Sequence, residues 1–395
     1  MLEAQATKRR KIQRNSDNEC ILLSPPWQPL AEHLTPEEYR EMMVDAKMYG
    51  LYQLAIVSAI DALTQAGTKI TKIGVVGAGF GGLVQSVLEA IRETKVQCDV
   101  FALDNNPVAL AELRRRQRTE SGWKQVDVLD ADMRDHGFVD CLIGQVDILV
   151  SELLGGFGHN KLAPECLIEC HLLLKPTGMA IPRSTTSYLA PVHARILRRV
   201  LLNSKDPHDC ERWWVHAQHL CETTDVVLLA QPLQVFAFAY PQKRGTFYRR
   251  RCLRFSSSSC KPVEKSFGDT ERWCHGFMGY FEAELHGEIR LSTLPGRATP
   301  ELKKWDPVFF PVKTTFCLPA QLNIRRSSNA TCARVWYSWS VTEDSLEGEE
   351  HKAEDTLEHN ANGLHSYMST RGRPTSAMAD GCKRASCTNP VLYEV

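Results

Sequence analysis

The sequence predicts an α/β protein in two unlike halves, a parallel doubly wound sheet over residues 69–190 and an antiparallel β-region over 191–342. Three observations predict it. From about residue 70, short apolar runs alternate with helical periodicities, the rhythm of strand–helix–strand units. The first of those runs closes on the glycine-rich "VVGAGFGG" (75–82). Beyond residue 190, apolar residues recur instead at every second position, as in "FMGYFEAEL" (277–285), "VWYSWSV" (335–341) and around "FFPVKTTFCL" (309–318). That is the period of half-buried antiparallel strands.

Taken in chain order, residues 1–24 read as an unstructured basic tail, with "TKRRKIQR" (7–14) as a solvated run and nuclear import as its second reading. Residues 25–68 read as a helical linker: Thr35 suits the N-cap, Pro36 the first helical position, and Glu38 completes a capping box. Gly50 is expected to break this segment into two helices. Strands follow at "KIGVVG" (72–77), "CDVFALD" (98–104), "KQVDVLDADM" (124–133) and "VDILVSELLG" (146–155), with helices at 83–95 and 106–117 between them. Residues 193–220 read as helical in part, either a protruding arm or a packed connector. Residues 343–387 hold too few apolar groups to order themselves and read as a disordered insertion before a short C-terminal segment, 388–395.

Composition narrows the function classes. The 395 residues, 43% apolar, suffice for two or three cores, and 47 basic residues balance 47 acidic ones. No overall field draws the chain to nucleic acid or to a membrane surface. Fourteen cysteines without a C-x-x-C pair read as reduced thiols of an intracellular protein, and no metal is called for. The most apolar run, "VVLLAQPLQVFAFAY" (226–240), is interrupted by Gln231, Pro232 and Gln234 and falls short of the ~20 residues of a membrane span.

The glycine loop carries the first chemical signal. Gly77, Gly79 and Gly82 fit G-x-G-x-x-G between a strand and a helix, where missing β-carbons admit a ligand to the backbone and the helix N-terminus favours anionic groups. Asp104 ends the second strand, where a carboxylate accepts from two ribose hydroxyls; its other reading is a cap for the helix near Pro107. Asp132 can accept from an adenine amine, with Met133 against the ring. These residues call for an adenosine-containing cofactor and leave a nicotinamide-dependent oxidoreductase open.

"GAGFGGLV", "LDNNP", "DADMRD", "VDILVSELLGGFGHNKLAPECL", "IPRSTTSYLAP" and "VWYSWSVT" follow one another in an order that resembles the type II, symmetric-dimethylating protein arginine N-methyltransferases, from about Pro25 to Thr342 and again at 388–390. The resemblance implies S-adenosylmethionine as cofactor, a Rossmann-like methyltransferase domain and a β-barrel that contributes to the peptide groove. It implies that Tyr39 and Tyr49 cover the cofactor, that Gly77 and Gly79 lie under its amino-acid part, that Asp104 holds the ribose, and that Asp132 and Met133 meet the adenine. Glu152 matches the first of two family glutamates that engage the substrate guanidinium, and Trp336 the tryptophan lining that site. Arginine-containing protein substrates, arginine- and glycine-rich segments above all, a homo-oligomer, and a cytoplasmic or nuclear location are what the resemblance leads one to expect. S-E-L-L-G and the β-rich second half speak against the oxidoreductase.

The match has departures. Lys161 stands at the family's second glutamate, Phe80 at its loop arginine, and Met42 at its product-controlling phenylalanine. The family's N-terminal TIM barrel, which docks a WD-repeat partner, is expected to be missing, leaving that partner without its docking domain. A guanidinium remains protonated and is a poor nucleophile, so carboxylates must hold and polarise it. An ammonium at position 161 reverses one of the two charges. The expectation is an arginine methyltransferase of reduced or altered activity, with a degenerate cofactor-binding or interaction module as the alternative.

Overall fold

The computed structural model describes residues 11–14, 20–24, 28–29, 34–133, 140–195, 197–198, 215–219, 226–241, 247–256, 273–329, 334–343, 357–360 and 368–369. Three short strands open the chain, β1 (Lys11–Arg14), β2 (Cys20–Ser24) and β3 (Gln28–Pro29). The first two fall in the expected tail. They pair with each other, and β2 pairs with β10 (Val215–His219), so partners far along the chain supply the order that local composition lacks.

Helix α1 (Pro36–Met42) carries the predicted capping box: Thr35 Oγ1 accepts from the Glu38 backbone at 3.4 Å, and Glu38 Oε2 accepts from the Thr35 backbone at 2.7 Å. Helix α2 (Ala46–Gln65) runs straight through Gly50. The break comes earlier, at Asp45, whose Oδ1 caps the Met48 N–H at 3.1 Å. An N-cap carboxylate terminates more decisively than one exposed glycine, which a helix tolerates at a cost of ~1 kcal/mol.

The parallel sheet then forms as predicted. Its strands are β4 (Lys72–Val76), β5 (Asp99–Asp104), β6 (Val126–Asp130), β7 (Val146–Ser151) and β8 (Leu174–Ile181), arranged β6-β5-β4-β7-β8 with every pair parallel. Helices α3 (Gly82–Thr94), α4 (Pro107–Thr119) and α5 (Ala163–Cys170) make the crossovers. Strand order reverses at β4, so the crevice beyond the ends of β4 and β7 is the switch point at which such sheets bind ligands. The glycine loop follows β4 and Glu152 follows β7.

The second half begins sooner than residue 191. β9 (Ser184–Ala194) already lies in a largely antiparallel sheet of order β1-β2-β10-β16-β14-β9-β11, with β12 and β15 attached. Its other members are β11 (Val226–Leu228), β12 (Leu233–Ala239), β14 (Cys274–His286), β15 (Ile289–Ser292) and β16 (Val308–Phe316). A second sheet, β13-β17-β18-β19-β3, contains β13 (Arg249–Phe255), β17 (Ala320–Asn329), β18 (Arg334–Glu343) and β19 (Met368–Ser369). Among the described residues the expected barrel is thus two sheets around a shared core. The connector at 193–220 contributes strand residues at both ends, and 201–214 lie outside the described residues.

Within the expected disordered insertion, His359 forms a bridge with Trp339 and stacks on its indole at 5.2 Å, and Met368 pairs with Val335. Isolated ring and apolar anchors hold what average composition cannot. One core joins the halves: Val75, Val84 and Ile148 of the parallel layer share a cluster with α2 and with Phe281, Leu285 and Trp305. Among the described residues no helix is long and apolar enough to cross a membrane.

Candidate active site

The glycine loop is tied to the end of β5. The Gly77 and Ala78 N–H groups donate to the Leu103 carbonyl at 2.9 and 3.0 Å, and the Gly79 N–H donates to Asp104 Oδ2 at 2.8 Å. With these donors committed, the loop offers a ligand close backbone approach. Gly77 and Gly79 have φ of +68° and +54°, which glycine adopts without strain. A β-carbon on Gly77 would stand 3.1 Å from Leu153 and 3.5 Å from Met133, and one on Gly79 would stand 3.0 Å from the Tyr39 ring. The loop is a cradle that side chains would fill.

Asp104 is nearly fully buried, and its Oδ1 accepts from the Asn106 N–H at 2.9 Å. Burial raises its carboxyl pKa against the opposing bonds from Asn106 and Gly79. The cap of α4 is Asn106, whose side chain accepts from Val108 at 2.8 Å. Asp104 is therefore a latch between strand and loop: its two oxygens accept the Gly79, Asn105 and Asn106 N–H groups, which leaves about one acceptor position open. Asp132, half-buried beyond β6, accepts from the Asn105 side chain at 3.1 Å.

The two tyrosines divide the roof. Tyr39 is buried on Gly79 and stacks on Phe80 at 4.6 Å; burial, then the Asp104 charge, pushes its phenol pKa up. Tyr49 lies on Gly82, and burial followed by the nearby Glu152 charge raises its pKa likewise. Arg116 reaches the glycine loop, donating to the Phe80 carbonyl at 3.2 Å and lying 4.0 Å over Trp123.

Glu152 leaves β7 with Oε1 accepting from the Leu154 N–H at 3.0 Å and Oε2 paired with the Lys304 ammonium. Tyr52 supports this turn from α2 by donating to the Ser151 carbonyl at 3.0 Å. Lys161 lies within the electrostatic reach of both Glu152 and Lys304. Burial lowers its pKa to about 8, with Glu152 opposing and Lys304 adding to the depression. One carboxylate thus pairs with one ammonium and feels the charge of a second.

Lys161 is carried by a loop with buried polar supports. Ser187 Oγ donates to the Phe157 carbonyl at 2.7 Å, so it must accept the Nδ1–H of His159 at 2.8 Å, which leaves Nε2 to accept from the Tyr337 hydroxyl at 3.1 Å. His159 is fully buried and neutral; burial, then the Arg326 charge, holds its pKa well below the ordinary value. Leu162, next to Lys161, has φ of +62°, a left-handed conformation that costs a non-glycine residue on the order of 1–3 kcal/mol. Glu165 does not reach the site. It forms a buried bidentate pair with Arg326 of β17, at 2.7 and 3.0 Å.

Trp336 is half-buried on β18. On β18 its neighbours Val335 and Tyr337 face the core, and Trp336 lies on the other face with Arg334 5.4 Å over its ring. The tryptophan beside Glu152 is Trp305, whose Nε1 donates to the Leu154 carbonyl at 3.0 Å. Neither it nor Lys304 lies in a periodic segment, so no local pattern marks them.

The fold and this site define a class: a doubly wound adenosine-type binding domain whose switch point carries a carboxylate presented to a second, β-rich domain. Residues 9–181 match the model of the PRMT5 arginine-N-methyltransferase domain, and 184–368 that of the PRMT5 oligomerisation domain, dividing the chain where β8 gives way to β9. The chain belongs to the PRMT5 family. It is 34% identical over 331 residues to protein arginine N-methyltransferase 5 of Oryza sativa subsp. indica, covering 82% of this chain and 48% of that protein. It is 32% identical over 355 residues to protein arginine N-methyltransferase skb1 of Schizosaccharomyces pombe, covering 86% and 54%. The chain therefore spans about half the length of the curated relatives it matches. Its fold is similar to that of Arabidopsis thaliana protein arginine methyltransferase 10, at a TM-score of 0.56, 14% identity and 84% and 97% coverage. It is also similar to a Trypanosoma brucei PRMT1 enzyme–prozyme heterotetrameric complex with AdoHcy, at 0.58, 14%, and 80% and 95%.

Proposed function

We propose that the chain is a protein arginine N-methyltransferase that takes its methyl group from S-adenosylmethionine. The observation that carries this reading is the placement of Glu152 at the end of β7, across the switch point from the glycine cradle at the end of β4. The residues present fit the cofactor. Gly77 and Gly79 leave room that side chains would occupy, Asp104 keeps acceptor capacity at the end of β5, and Met133 supplies an apolar surface. Tyr39 and Tyr49 would close over it. When bound, the cofactor supplies an electrophilic methyl group.

The chain's own residues then act on the acceptor. Glu152 accepts an N–H of the guanidinium and draws positive charge toward itself, which leaves the other terminal nitrogen richer in electrons. The Leu154 N–H bond that fixes Glu152 supplies orientation, the larger part of such a rate advantage. Arginine- and glycine-rich protein segments are the substrates this reading favours. The match to an oligomerisation domain favours self-association, and the basic run at 7–14 favours a cytoplasmic or nuclear location.

Incubation of the full chain with labelled S-adenosylmethionine and an arginine- and glycine-rich peptide tests the proposal, with Glu152→Gln as the silent control. Cofactor binding without any transfer would leave a binding module in its place.

A further inference from the structure

Glu152 is already engaged on both oxygens, by the Leu154 N–H and by the Lys304 ammonium, and each charged side chain of that pair is only 10% exposed. The segment bearing Lys304 is fastened on either side. The Lys303 N–H donates to Asp45 Oδ2 at 2.8 Å, and the Trp305 indole donates to Leu154 O at 3.0 Å while meeting Phe281 edge-on at 5.3 Å. The ammonium therefore rests on Glu152 because the backbone delivers it there.

We propose that Lys304 is an internal occupant of the acceptor subsite, holding on Glu152 the position that a substrate guanidinium must take. The inference rests on the reading above that Glu152 receives the guanidinium. A lysine ammonium is a compact point charge on a flexible four-carbon stem, so it can withdraw while its backbone stays pinned. It must then be rehydrated, and it cannot move toward Lys161, which carries the same charge. Lys304 thus penalises binding, and a substrate must recover that penalty through contacts elsewhere along its length. Once the ammonium has left, Glu152 is the same group as before. The penalty therefore falls on KM far more than on kcat.

The test uses the full chain as wild type, Lys304→Gln, Lys304→Met and Lys304→Arg, with an arginine- and glycine-rich peptide as the probe. Calorimetry gives the peptide affinity, thermal melting checks folding, and steady-state methylation gives KM and kcat. The expected result is peptide binding tighter by about tenfold in the Gln and Met variants, the usual scale for relieving one buried like-charge competition. KM should fall in parallel, and Lys304→Arg, which retains the cation, should stay near wild type. Folded Gln and Met variants that bind the peptide no more tightly than wild type overturn the proposal. Should no variant transfer a methyl group, the methyltransferase reading falls, and the peptide affinities still decide the role of Lys304.

Discussion

Arg326 of β17 grips Glu165 of α5 with both ends of its guanidinium, and neither side chain reaches water. Arg326 also donates to the carbonyls of His159 and Phe247, so one side chain ties the parallel layer, the Lys161 loop and the second sheet together. Removing one partner strands a buried charge, at a cost of ~3–5 kcal/mol. Glu165→Gln or Arg326→Met should therefore lower stability in urea by that much, and Glu165→Leu combined with Arg326→Met should recover a large part. A loss under ~1 kcal/mol for the single changes would mean that the pair is solvated in solution.

His159 should behave as a fixed, neutral strut. His159→Phe leaves the Tyr337 hydroxyl without its acceptor and Ser187 without its donor, each a buried group whose loss costs ~1–3 kcal/mol. Its pKa is depressed in the fold relative to ~6.5 unfolded. The stability it contributes is then complete above that value and declines as pH falls below it, because the unfolded chain takes up the proton first. Denaturation of wild type and variant across pH 5 to 7 should show the wild type's acid-side decline reduced in the Phe variant.

Asp104→Ala should weaken S-adenosylmethionine binding by ~1–3 kcal/mol and also loosen the loop, since the Gly79 and Asn106 N–H groups lose their acceptor. Asp104→Asn, which keeps a carbonyl oxygen toward one of them, should be milder in stability. Titration calorimetry with S-adenosylmethionine and with NADH provides the comparison. Tighter binding of NADH would restore the oxidoreductase reading.

Lys161 should make stability rise with pH on the alkaline side. Its pKa is about 8 in the fold against 10.5 when unperturbed, so between those values the unfolded chain holds a proton that the folded chain has released. The penalty of burying the ammonium is present below pH 8 and fades toward pH 10.5. Lys161→Met should flatten that part of the profile, as read by chemical denaturation. An unchanged slope would place the ammonium in water.

Lys161→Glu should raise methyl transfer by about tenfold to a hundredfold, because a charge-assisted acceptor is worth roughly 1.5–3 kcal/mol and ~1.4 kcal/mol is tenfold in rate. Lys161→Ala should give a smaller gain. Glu165 is committed to Arg326, so Glu165→Gln should act on stability. A wild type more active than Lys161→Glu would sink the idea that the lysine is a deficit.

Much of the parallel layer was legible because its signals are local: an apolar run, a glycine turn, a capped helix, repeated. Thr35, Glu38, Gly79 and Asp104 sit where such signals put them. The misreadings have a shared cause. β9 hides its period by burying Thr185 and Ser187, polar residues satisfied from other segments. The pairings of Glu165 with Arg326 and of Glu152 with Lys304 span more than 150 residues, and no window along the chain contains both partners.

Asp45 has two oxygens and two duties: one starts α2, and the other holds the backbone of Lys303. The start of α2 and the strap beside Glu152 are consequently a single fastening. A shortened chain starting at Ile70 would lose this clasp along with the Tyr39 and Tyr49 roof, releasing the backbone of Lys303 and leaving the strap held at Trp305 alone. It would not be a smaller version of the same molecule. Its acceptor side would be slack and its adenosine side uncovered, so kinetics measured on such a fragment would describe a different pocket.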